Sequence, residues 1–214
     1  MLFALLITLT TSIFSDNNIS SKVPQNINID SRFLLEGKKL IDPRSIKKID
    51  EIGNELFNKT GVNVLVYAQD FYPKNFDNKG EEIAYTKKLE QGLVQEQKNS
   101  FVLFTMAVKN RHVNIIASKD IESSIDKDDI LDNFVIPLLA SKDKNTPYAK
   151  VSAAVLNGYA EIADSIAEDR GLKLESSIGS GNTNFTSIWR VFMYFIVISG
   201  LLVYTYAVLR AKKG

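Results

Sequence analysis

The tightest constraint on this chain is the stretch SFVLFTMAVKNRHVNII, residues 100–116. Phe101 to Val108 is nearly unbroken in hydrophobicity, and Val113 to Ala117 is a shorter run of the same kind. Runs this short, rich in Val, Ile and Phe, read as strands buried on both faces. Only Lys109-Asn110-Arg111-His112 separates them. A quartet cannot carry a crossover to a parallel neighbour, so the pair is expected to be an antiparallel hairpin. Two readings attach to the turn. Arg111 and His112 form an anion or acid–base site, or they are a solvated turn that keeps an apolar hairpin soluble. The second is preferred, because His112 is the only histidine of the chain and no Cys accompanies it.

Upstream, Asp42-Pro43 has the chemistry of a helix start: Asp caps free amides, and Pro at the first position loses no hydrogen bond. Ile46, Ile49, Gly53, Leu56 and Phe57 recur on one face, and Gly61 is the expected left-handed stop. Val62 to Ala68 reads as a strand. Asp70 to Gly80 is a loop by its Pro, Gly and Asn content. Glu81 to Gln97 returns to helical spacing, with Ile83, Ala84, Leu93 and Val94 on or near one side. Strand, helix and strand make a parallel crossover unit, onto which the last strand folds back.

Beyond the hairpin, Ser118 to Asn133 is thick with acid. A helix carrying Ile130, Leu131, Phe134 and Val135 is expected to end near Pro137. Thr146-Pro147 repeats the cap-plus-proline start, and a helix runs through Val151, Val155, Tyr159, Ile162 and Ile166 to Gly171. The fold class is therefore α/β: a three-layer α/β/α sandwich around a small mixed sheet, followed by one transmembrane helix.

Two segments do not suit the interior of such a domain. Met1 to Phe14 is apolar and of signal-peptide length, so residues 1–15 read as a signal peptide or a short N-terminal anchor. Val191 to Leu209 carries no charge over nineteen residues. A helix of that length covers about 28 Å, close to the hydrocarbon thickness of a bilayer. Trp189 and Arg190 stand at its entry, and Arg210, Lys212 and Lys213 follow it, which places residues 210–214 in the cytoplasm. The expected organisation is an extracytoplasmic domain over 20–172, a flexible Gly/Ser/Asn-rich tether over 173–187 and a membrane helix over 188–209. The protein is then a single-pass protein of the cell (inner) membrane, its domain in the periplasm or outside. A formal charge of +1 gives no reason to expect nucleic acid as a partner. With no Cys and one His, thiolate and multi-histidine metal sites are excluded, leaving only a hard cation on oxygen ligands.

With its order of elements, the Thr60-Gly61 strand entry, the apolar hairpin and Ile136-Pro137 ahead of Tyr148-Ala149 and Val151, the chain resembles the TPM domain family over about residues 33–170. That family is named for a thylakoid lumen protein, a photosystem II repair factor and a nematode receptor accessory protein, and it includes bacterial envelope proteins. The resemblance implies that polar motifs meet at one edge of the sheet. In their places stand Leu35-Glu36-Gly37, Lys98-Asn99-Ser100 and Ser118-Lys119-Asp120-Ile121-Glu122. Glu122 is in register with the family's acid, Asp120 lies beside it, and Glu36 is a loose substitute for the entry aspartate. Both glycines of the last motif are replaced, by Ser118 and Asp120.

Some members of the family look like acid phosphatases or calcium binders, uses that need close acidic ligands and backbone free to approach an anion. Glu122, Asp120 and Glu36 are accordingly the candidate metal ligands, for Ca or Mg; no other cofactor is expected and no catalytic residue is assigned. A competing reading makes the acidic run helix-start charge favourable to the macrodipole. With the motif eroded, the expected function is that of a non-enzymatic accessory or assembly subunit of a membrane-embedded protein complex. The alternative is a membrane-anchored, metal-assisted acid-phosphatase-like enzyme. Tyr194, Ser199, Gly200, Tyr204 and Thr205 are the expected partner contacts within the bilayer, since small residues and hydroxyls let helices approach and bond there.

The charge asymmetry around the apolar segment makes a topological prediction. A reporter active only in the cytoplasm, fused after Gly214, is expected to be active. Silence there, with activity from an export-dependent reporter at the same position, reverses the orientation.

Overall fold

The structure, a computed structural model, describes residues 31–72 and 75–179, together with Ile198. Apart from that one residue, the expected export signal and membrane helix lie outside the described residues. No helix among the described residues is long and apolar enough to cross a membrane.

Four strands form one sheet in the order β1 (Leu34–Glu36), β2 (Asn63–Gln69), β3 (Phe101–Ala107) and β4 (His112–Ala117). β1 and β2 run parallel, as do β2 and β3, while β3 and β4 pair antiparallel from Val102 opposite Ala117 to Ala107 opposite His112. The expected hairpin is present. β3 is buried along its whole length, as its nearly unbroken apolar run requires. β4 departs from expectation: of its residues only Ile115 is fully buried, because β4 ends the sheet and has a neighbour on one side only.

Strand alternation divides the core in two. Val64, Val66, Val102, Phe104, Met106 and Ile115 face the main core, which helices α1 (Pro43–Thr60) and α5 (Pro147–Asp169) cover. Leu65, Phe101 and Leu103 point the other way, into a small cluster closed by Leu93 and Val94 of α2 (Lys79–Gln95). This is the expected three-layer α/β/α arrangement, with very unequal layers.

Local signals at the helix ends are honoured. Asp42 caps α1 by accepting from the Arg44 amide, and Gly61 closes it at φ 74. Asn78 caps α2, and Thr146 caps α5 ahead of Pro147. The helix expected to stop near Pro137 does not. α3 (Lys127–Ile130) leads into a π-helical turn, Leu131–Val135, and then into α4 (Ile136–Ala140). The Ile136 amide bonds to the Leu131 carbonyl, five residues back. Pro137 thus enters at the beginning of α4, where its missing N–H is no loss, and the wider turn before it makes room for its ring.

The expected flexible tether begins as part of the folded body. Leu174 is buried. The Glu55 carboxylate accepts from the amides of Glu175 at 2.8 Å and Ser176 at 2.7 Å, and pairs with Lys59 at 2.6 Å. Burial pushes this carboxyl up, but Lys59 and the bonds from Ser176 and Glu175 outweigh it and bring it down to about 2.

Tyr159 joins the layers on the main-core side. Its ring is fully buried and its hydroxyl donates to the Val64 carbonyl at 3.1 Å. That hydroxyl occupies space left by Gly53 of α1: a Cβ there would lie 2.3 Å from it and 2.7 Å from the Phe33 ring. Gly53→Ala is expected to destabilise the domain by about 1–3 kcal/mol through overpacking, despite the better helix propensity of Ala. Urea unfolding of the two proteins side by side measures it; an unchanged midpoint would show that Tyr159 can move aside at no cost.

Candidate functional site

Two places on the sheet carry enough chemistry to be considered: the edge where the polar motifs were expected to meet, and the opposite edge at the β3–β4 turn. At the first, the starts of β2 and β3 and the end of β4 come together, with Asn63 opposite Phe101 and Val102 opposite Ala117. Asp120 follows β4 here and accepts from the Ser100 hydroxyl. The Ser100 and Ser118 hydroxyls hold its carboxyl below the usual aspartate range. Ser118 in turn accepts from the Phe101 amide at 3.1 Å. Glu122 is exposed and pairs with Lys127 at 3.1 Å. Asp126 caps α3 through the Asp129 amide at 3.1 Å, with Asp128 and Asp129 in its first turn. That is the helix-start role for acidic charge.

Glu36 does not join them. It stands in β1 level with Tyr67, toward the far end of β2, because β1 runs parallel to β2 and Glu36 is its last residue. The three candidate ligands are thus split between opposite edges of the sheet. Among the described residues no group of three or more His, Asp or Glu side chains could hold a metal ion. Tyr194, Ser199, Gly200, Tyr204 and Thr205 lie outside the described residues.

The second edge holds a network that sequence reasoning missed. Glu90 of α2 is buried, and its carboxylate accepts three hydrogen bonds from the sheet. Thr105 Oγ1 donates at 2.6 Å, Asn114 Nδ2 at 3.0 Å, and His112 Nε2 lies at 2.8 Å from Oε1. A carboxylate can only accept, so the His112 Nε2–H is the donor. Burial is the largest influence on Glu90 and pushes its carboxyl up. The bonds from His112, Thr105 and Asn114 together outweigh burial and leave it below the ordinary glutamate value. His112 is therefore the first residue of an edge strand, half-buried and bonded to an acid, rather than a solvated turn residue.

The inward face of α2 explains the arrangement. Ile83, expected near that face, is 57% exposed. The stripe that meets the sheet is instead Glu82, Thr86, Glu90 and Leu93, spaced by three and four. Glu82 accepts from Asn110 of the turn at 2.8 Å, and the turn's Asn110 accepts from the Tyr72 amide at 3.0 Å. Tyr72 is buried, with its ring centroid 5.3 Å from that of Tyr85 and 6.4 Å from that of His112. A signal for this network was present. Thr105 and Asn114 each interrupt an apolar run, and the hairpin register sets them opposite one another.

Chemically, a carboxylate holding one imidazole nitrogen is an arrangement that steers a general base. The adjoining cleft, about 220 Å³, is lined by Glu82, Thr86, Lys87, Glu90, Arg111 and His112. The Thr86 hydroxyl is committed to the Glu82 carbonyl at 2.9 Å and that of Thr105 to Glu90. A hydrolytic step here would have to take its nucleophile from solvent.

In comparisons with known proteins, a family model described as TPM domain matches residues 36–164. No curated protein matches the chain.

The Glu90 network makes a pH prediction. Its folded-state carboxyl is lowered, so its stabilisation is fully present above the unfolded value of about 4.3 and is lost as pH falls through the native one. Glu90→Gln puts an amide N–H₂ against a donor, at a cost of about 1–3 kcal/mol at neutral pH. Unfolding free energies measured from pH 7 to pH 3 are expected to fall less steeply on the acid side for Glu90→Gln than for the unaltered protein. Parallel curves would mean that Glu90 is not ionised in the folded state.

Proposed function

This chain belongs to the TPM domain family, and on that premise we propose that it acts as a non-enzymatic accessory or assembly subunit of a larger membrane protein complex. In this reading residues 188–209 anchor it as a single span, the domain lies in the periplasm or outside, and the C-terminal tail is cytoplasmic. The observation that carries the reading is the state of the motif edge. Ser118 and Asp120 stand where the resemblance implies glycines, Asp120 is engaged by Ser100, and Glu122 is paired with Lys127. Glu36 stands at the other edge of the sheet. A cation or a phosphate ester needs converging acids or free backbone amides, and this edge offers its polar groups to one another instead.

Within the span, Ser199 and Gly200 would let another backbone approach closely. Tyr194, Tyr204 and Thr205 would supply hydroxyls to a partner helix, each worth only about 0.6 kcal/mol. Partner recognition is therefore spread along the helix.

The reading is tested by purification of the full chain from gently solubilised membranes, alongside a variant whose residues 191–209 are replaced by a polyleucine-alanine helix of equal length. Arg190 and the basic tail are kept. The unaltered chain is expected to bring down a defined set of membrane proteins, and the variant to lose most of it. Recovery at full yield by the variant assigns recognition to the domain outside the membrane. The same full chain is expected to release no phosphate from a generic ester above background, with or without calcium or magnesium. Turnover that vanishes in Glu122→Gln would replace the accessory reading with the metal-assisted phosphatase.

A further inference from the structure

On the main-core side of the β3–β4 turn lies a groove of about 700 Å³ between β4, α4 and the beginning of α5. Its walls are apolar, from Met106, Val113, Ile136, Leu139 and Val151, and its basic side chains are Arg111 and Lys150, with His112 at its rim turned to Glu90 on the other face of the sheet. No acidic side chain lines it. Ligand sites typically have volumes of roughly 300–1,000 Å³, with mostly apolar walls and a few placed polar groups. The groove fits that description.

The basic groups near it are not equivalent. Lys150 is committed to the carbonyl of Ser141 at 2.5 Å and to Asp143 at 3.4 Å. His112 is held by Glu90. Arg111 is exposed, and among the described residues its guanidinium has no ion-pair partner. Its backbone sits at φ 52, the one non-glycine residue with positive φ among those described. That conformation favours Gly or Asn at a turn. An arginine kept in strained backbone at the mouth of an apolar groove points to a use for its side chain.

We propose that this groove binds a single-chain amphiphile with an anionic head, an alkyl carboxylate or alkyl phosphate, the chain lying along Val113, Ile136 and Leu139 and the head on the Arg111 guanidinium. Charge complementarity selects this occupant: a planar fork matches the oxygens of either head, and apolar walls without an acid repel nothing in an alkyl chain. The proposal rests on the groove alone and is independent of the accessory reading.

The test is photolabelling of the full chain, reconstituted in phosphatidylcholine vesicles, with a diazirine-bearing alkyl carboxylate, the labelled peptides being mapped by mass spectrometry. Total label per chain serves as the internal reference. Groove label is expected on the segments around Val113 and 136–151. Dodecanoate and dodecyl phosphate are expected to compete it away, showing which head is preferred, while dodecanol and inorganic phosphate are not. Arg111→Gly keeps the turn conformation open to the backbone and is expected to lower groove label about tenfold or more, the loss of one charged contact. Ile136→Glu, at a position 44% exposed, puts an acid into the groove without emptying the core and is expected to do the same. Groove label unchanged in both variants overturns the proposal. So does competition by dodecanol as strong as that by dodecanoate, competition by vesicles containing phosphatidylglycerol but not by dodecanoate, or label confined to 191–209.

Discussion

Everything in this domain hangs on a strand with two different faces. β3 is paired on both sides and buried from end to end, so its alternation sets what each helical layer must supply. Its even-numbered residues, Val102, Phe104 and Met106, are uniformly apolar and call for the broad apolar faces of α1 and α5. Its odd-numbered residues begin as Phe101 and Leu103 and then turn polar at Thr105. The layer above them has to follow suit. α2 is apolar over the start of β3, through Leu93 and Val94, and polar over its end, through Glu90 and Thr86.

A buried carboxylate is costly unless its lone pairs are met. Glu90 is tolerated because three donors from two adjacent strands converge on it. The same bonds tie α2 to a sheet on which it has little apolar surface to bury. This layer is therefore specified by hydrogen-bond geometry, whereas the α1–α5 layer is specified by shape. Tyr159 under Gly53 is the clearest case of shape: a large residue on one helix and the absence of a side chain on the other. The difference has a consequence at the turn. Polar groups spent on holding α2 stand beside Arg111, which is spent on nothing within the described domain, and the groove next to it is apolar.

The motif edge follows a different logic. Here side chains bond to each other and to the backbone: Asp120 accepts from the Ser100 hydroxyl, and the Ser118 hydroxyl accepts from the Phe101 amide. The acidic run behind it serves α3 as cap and first-turn charge. Acidic composition alone therefore says little about cation binding; what matters is whether the carboxylates converge, and among the described residues no three do.

Where information was local, the sequence alone determined the outcome: the helix starts at Asp42-Pro43 and Thr146-Pro147, the stop at Gly61, the crossover and the antiparallel hairpin all rest on backbone chemistry that neighbours within a few residues dictate. The family resemblance was legible there too, in the same elements. Tertiary structure decided what depended on distant partners. β1 is three residues long with no periodicity to announce it, and exists because β2 offers it hydrogen bonds. Pro137 was expected to end a helix, but a π-turn made room for it. Thr105 and Asn114 interrupt separate apolar runs, and only the register sets them side by side beneath Glu90. Glu36 was grouped with Asp120 and Glu122 by motif order, yet the direction of β1 carried it to the opposite edge. A sequence states which groups are available, and short-range sterics place them along an element. Which groups meet is set by strand register and helix rotation, and these follow from packing the whole chain at once.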